Sequence, residues 1–218
     1  MIDKFEIYDV VGVLVPGVLV VAAVPLAFPS LASQANAAHF PEGFVLLALT
    51  ALSIFVGHLV QTLASLIEPI LNKTWGGRPS DSALKSGLGP TFFPLDSAKR
   101  IRSKLVEATS PDASNHSLFL FASQLAESSE SARAGRFNAL YAYHRSLVVL
   151  SIVSLMLFIG SSRGGFASTL TCSQYIVVLV FMLGLLAVLW HRTKRRGWYY
   201  VREVLLCAEQ KILLTLKP

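Results

Sequence analysis

The sequence predicts an all-α membrane protein: four transmembrane helices, a small helical cytoplasmic region between the second and third, and an amphipathic C-terminal helix. Three observations carry this. Charged residues make up 15% and hydrophobic residues 53% of the 218, against about 25% and 45–50% in soluble domains. The apolar residues lie in long blocks, without the alternation that one water-facing side imposes on a strand or helix. The cations are gathered into two segments instead of being spread along the chain. Length alone would fit one ordinary soluble domain.

The first hairpin occupies residues 1–71. Its first block, Val10 to Phe28, has 19 residues and no charge. Its Val, Leu and Phe side chains favour insertion by about 4–7 kcal/mol. Pro16, Gly17 and Pro25 are tolerable there when neighbouring helices re-satisfy the freed backbone groups. A cleaved secretory signal is the rival reading, with Ala35-Asn36-Ala37 as its small-residue site. Asp3, Glu6 and Asp9 against a single Lys4 oppose it, because a signal needs a positive start. The second block, Gly43 to Ile67, has 25 uncharged residues and spans with tilt.

The second hairpin is placed at 141–190, with spans at about 143–161 and 171–190. Ser146 to Gly160 is only 15 residues. It reaches spanning length when Tyr141 to Arg145 snorkel at the inner interface, or when Ser161 and Ser162 are included. Gly164 to Trp190 contains no charge at all.

Lys and Arg counts set the orientation. Lys4 is alone at the N-terminus, the first loop has none, and the third has Arg163. The central loop, Asn72 to Arg145, has ten, and the tail from His191 has seven. The positive-inside rule therefore puts loop and tail in the cytoplasm, with both termini inside. Aromatic residues mark the interfaces: Phe40 and Phe44 outside, Tyr141, Tyr143, Trp190, Trp198, Tyr199 and Tyr200 inside. The net charge of +6 is accounted for by this segregation, so no specific nucleic acid is predicted.

In the cytoplasmic region, 72–140, the run from Trp75 to Ser80 ends the second helix. Gly87, Gly89, Pro90 and Pro94 keep the next stretch irregular. Asp96 or Ser97 is expected to cap a helix through Ala108 with Ile101, Leu105 and Val106 on one face. Asn115 is expected to cap a second, carrying Leu118, Phe119, Phe121 and Leu125. Ser131 to Arg145 runs straight into the third span. Such a region is marginal alone. The tail, 191–218, has an apolar stripe of Val201, Val204, Leu205, Ala208 and Ile212, which predicts packing on the central loop rather than on the inner leaflet.

The strongest polar constellation lies in the second span. His58, Gln61, Ser65, Glu68 and Asn72 are spaced 3, 4, 3 and 4, along one helical face. Either they line a pore, with His58 titrating near neutral pH, or they hydrogen-bond between helices. In the first span Asp9 suits a helix start, Gly12 and Gly17 permit close helix approach, and Pro16-Gly17 is a candidate hinge. Arg192, Lys194, Arg195 and Arg196 suit anionic lipid headgroups. Cys172 and Cys207 fall on opposite sides of the membrane. No metal site is predicted, because two cysteines and five scattered histidines give no ligand spacing. No catalytic or nucleotide motif and no cofactor is expected: Gly76-Gly77 and Gly87-x-Gly89 lack the Lys-Ser/Thr of a phosphate loop.

The runs Phe5-x-x-Tyr8-Asp9-x-x-Gly12-x-Leu14-x-Pro16-Gly17 and Arg136-Phe137-x-x-Leu140-Tyr141-x-x-x-Arg145 resemble a pattern of uncharacterised small bacterial membrane proteins. That resemblance implies a multi-pass protein of the bacterial inner membrane, and some proteins of that kind are membrane effectors of stress or phage defence. The expectation is a non-enzymatic effector or channel-like oligomer controlled through its cytoplasmic loop. The alternative is an anchor or scaffold that recruits a cytoplasmic partner. A small transporter is third, since intramembrane charge and an internal repeat are lacking. Expected partners are the lipid bilayer, further copies of the chain, and a cytoplasmic protein or small-molecule signal.

Overall fold

The computed structural model describes residues 9–27, 41–127, 132–160, 162 and 166–215. The N-terminal acidic run, Ala35-Asn36-Ala37, Phe40 and Arg163 lie outside them. Among the described residues the chain is helical, with one isolated bridge between Gly89 and Phe93. A π-helical turn, Asp9–Leu14, leads into α1, Val15–Ala27. There follow α2, Glu42–Thr74; α3, Pro79–Ser86; α4, Leu95–Ala108; α5, Asn115–Glu127; α6, Ala132–Gly160; and α7, Cys172–Thr215. Three helices, α2, α6 and α7, are long and apolar enough to cross a membrane. The apolar part of the first helix, Gly12–Ala23, is shorter.

The chain divides into two compact units. One comprises Met1–Ile67 and Ala142–Thr193, the other Glu68–Tyr141 and Lys194–Pro218. In the first, α1 and α2 meet through small residues. A Cβ added at Gly17 would collide with the Ser53 carbonyl, and one at Gly57 with the Val13 carbonyl. Val13, Pro16, Ser53, Val60 and Ala64 are buried around this crossing. Farther along the unit, Phe158 of α6 stacks on Tyr175 of α7 at 4.9 Å. None of the most apolar stretch of α7 is buried, and Val177, Val180, Phe181 and Val188 stand exposed.

The second unit has its own core. Ala83, Leu84, Leu88, Phe93, Ile101, Leu105 and Leu118 of the central loop close on Val201, Val204, Leu205, Ala208 and Ile212 of the tail. The tail stripe read from the sequence thus packs on the loop. It does so as the end of one 44-residue helix, α7, whose apolar and amphipathic parts are continuous.

Local details depart from the expectations in three places. Pro79–Ser86 is a helix where an irregular stretch was expected, because Pro79 suits the first helical position and Ala83 and Leu84 reach the core. α4 starts at Leu95 after Pro94, without a side-chain cap from Asp96 or Ser97. The cap of α5 is Ser114, whose Oγ accepts from the Ser117 amide at 3.1 Å; Asn115 Oδ1 instead accepts from Arg102 Nε at 3.2 Å. At the end of α2 the expected stop holds: Gly76 and Gly77 adopt φ of 87° and 125°, and the Gly77 amide reaches back to the Asn72 carbonyl at 2.9 Å. Pro69 lies inside α2, five residues before that stop.

Candidate functional site

The polar face of α2 is the natural place to look for function, and most of it is engaged in structural bonds. Gln61 Nε2 donates to the Gly12 carbonyl at 2.8 Å. Proline at 16 has no N–H to give the carbonyl four residues back, which is that of Gly12. In apolar surroundings a carbonyl without a donor is costly. Gln61 supplies the missing bond from another helix. This assigns Pro16 and Gly17 a packing role: Pro16 is fully buried, and Gly17 lies against the Ser53 carbonyl.

The coupling is testable. Gln61→Leu is expected to destabilise the chain in detergent by about 1 kcal/mol, the usual scale of an interhelical hydrogen bond in membranes. With Pro16→Ala present, the alanine amide supplies the donor and most of that cost disappears. A double-mutant cycle on the unfolding midpoint reads the coupling; equal cost in both backgrounds refutes it.

Ser65 Oγ donates to the Gln61 carbonyl at 3.1 Å, and Arg145 Nη2 of α6 reaches Ser65 Oγ at 3.4 Å. Thr50 and Thr62 likewise bond back to carbonyls four residues earlier. His58 is exposed on α2, and its side chain has no partner among the described residues. In the second unit, Glu68 accepts from the Tyr141 hydroxyl at 3.0 Å. Asn72 is buried, and its Oδ1 has no partner among the described residues. The regular spacing in sequence therefore resolves into residues with different duties. Ser53 and Gly57, which make the α1–α2 crossing, were not singled out from the sequence. Their signal is a pair of small residues four apart, continued by Gln61 after four more.

The second unit holds the electrostatically distinctive groups. Glu209 is buried on the tail and accepts from Arg100 Nε at 2.8 Å and Lys104 Nζ at 2.9 Å. Burial pushes its carboxyl up, but the hydrogen bonds and charges of Arg100 and Lys104 outweigh this and hold it below the ordinary carboxylate value. Glu203, also buried, lies 3.5 Å from Arg133. Burial raises the Tyr200 hydroxyl above its ordinary value, with a hydrogen bond to Ser123 opposing.

Of the basic cluster, Arg192 and Arg195 are exposed. Lys194 Nζ donates to the Trp75 carbonyl at 3.4 Å and lies 5.4 Å from the Trp198 ring. Arg196 sits 6.0 Å from the Tyr199 ring. Among the described residues no three His, Cys, Asp or Glu are grouped to hold a metal ion. Compared with known protein families, curated proteins and solved structures, the chain matches none of them.

Proposed function

We infer that the chain is a four-span protein of the plasma membrane (the bacterial inner membrane, as the resemblance implies), with both termini and the 68–141/194–218 unit in the cytoplasm. It works as an anchor that presents this helical unit to a cytoplasmic partner or small-molecule signal. One observation carries the reading: the inner unit has a core of its own, shared between loop and tail, while Gln61, Ser65 and Glu68 are engaged in hydrogen bonds within the protein. The unpartnered apolar surface of α7 suits lipid, which needs no polar face.

A second reading, a channel-like effector oligomer, is favoured by His58, an ionisable side chain left exposed in the middle of α2. Dye release from liposomes separates the two. The anchor reading expects no release by the reconstituted chain at neutral or mildly acidic pH. Sustained release that His58→Leu abolishes would put the effector reading first.

A further inference from the structure

The sequence groups Arg192, Lys194, Arg195 and Arg196 as one basic run, but the second unit arranges its cations differently. Phe92 lies in the turn after α3. That turn is held by the Leu88 amide on the Phe93 carbonyl at 2.9 Å and the Phe93 amide on the Gly89 carbonyl at 3.1 Å. Phe93 is fully buried, and its neighbour Phe92 turns toward α7. There it meets Tyr199 edge-on at 4.8 Å and Trp198 at 6.4 Å, while Phe137 of α6 stacks on Tyr199 at 5.7 Å.

Each ring of this cluster carries a cation. Lys194 lies over Trp198, Arg196 over Tyr199, and Arg202 over Phe92 at 5.0 Å. The rings orient these groups, since a ring quadrupole attracts a cation, but supply no counter-charge. The unit's buried acids are already matched elsewhere, Glu209 by Arg100 and Lys104, Glu203 by Arg133. Arg196 and Arg202 have no carboxylate partner among the described residues. Eight residues of helix separate Lys194 from Arg202, about 12 Å along the axis, more than one phosphate group bridges.

We propose that Lys194, Arg196 and Arg202, held over the Trp198–Tyr199–Phe92 cluster, form a binding site for an anion carrying two or more phosphate groups. Guanidinium groups fixed by stacking lose little freedom on binding and present forked donors to phosphate oxygens. The shared chemistry has two sources, a phosphorylated lipid headgroup or a soluble polyphosphate. The site does not depend on the anchor reading.

The test uses the full chain in nanodiscs of neutral phosphatidylcholine, titrated with inorganic tripolyphosphate and read by calorimetry. Saturable, salt-sensitive binding is expected. Arg202→Gln and Phe92→Leu each weaken it about tenfold or more, Arg202→Lys retains most of it, and Lys85→Gln, on the exposed side of α3, leaves it unchanged. Melting midpoints identify any variant that is misfolded, and the Arg202→Gln and Arg202→Lys pair, alike in size and unlike in charge, then carries the comparison. Absence of saturable binding overturns the proposal. So does an equal loss with Lys85→Gln, which would mean diffuse charge attraction. Repeating the titration in nanodiscs that contain phosphatidylinositol phosphate distinguishes the sources: lost tripolyphosphate binding assigns the site to lipid, retained binding to a soluble anion.

Discussion

Replacing Gly57 by leucine is expected to separate α1 from α2 and to cost about 3 kcal/mol or more. A side chain there starts with a Cβ inside the space of the Val13 carbonyl, with the Val13 side chain only 3.0 Å away. The obstacle is backbone, which cannot rotate aside, so the cost belongs to the upper part of the overpacking range. Separation also removes Gln61 from the Gly12 carbonyl, 49 residues away in sequence, and leaves the carbonyl that Pro16 cannot serve without a donor. Gly43 has open space around its Cβ position and serves as the control. Thermal unfolding in detergent, together with disulfide trapping between cysteines introduced on α1 and α2, reads both effects. A Gly57→Leu chain that melts like wild type and still cross-links would remove the crossing described here.

Leu205→Ala is expected to lower the stability of the 68–141/194–218 unit by about 2–5 kcal/mol, the range for a fully buried leucine. Leu205 is completely buried among loop residues, whereas Leu120 of α5 is about half exposed, so Leu120→Ala should change stability by less than about 0.5 kcal/mol. Against total stabilities of about 5–15 kcal/mol, the first change brings the unit close to unfolding at physiological temperature. Trp75 and Trp198 fluorescence during a thermal melt reports it. Equal effects of the two substitutions would show that the tail is not part of the core. The same melt carries a pH signature. Glu209 has a folded pKa below the ordinary value of 4.5, so its stabilising contribution is intact above that value and fades as pH falls below it. Glu209→Gln should therefore flatten the acid limb of the stability profile.

Several elements were legible from local pattern. Uncharged blocks gave the three long apolar helices α2, α6 and α7, because continuous apolarity over some 18 residues has few other uses. The tail stripe at Val201, Val204, Leu205, Ala208 and Ile212 identified the face that is buried, since a 3.6-residue period is written in the chain itself. The Gly76-Gly77 stop was visible for a similar reason: only glycine adopts those φ values without strain. By contrast, α3 was missed, as eight residues containing three serines show little apolar period. Its Ala83 and Leu84 are recognisable as core only once the tail lies beside them.

By itself, then, the amino-acid order determined helical class, the long apolar segments and the face each amphipathic helix turns inward, because those depend on neighbours within a turn or two. Which groups meet was decided only in three dimensions. Gln61 reads as one polar residue in a regular stripe until Gly12 is brought to it. Arg100 and Lys104 look like a solvated basic face until Glu209, more than 100 residues away, is buried between them. Hydrogen bonds and ion pairs act over a few ångströms, and whether two distant residues come that close is a property of the packed chain, not of either segment alone.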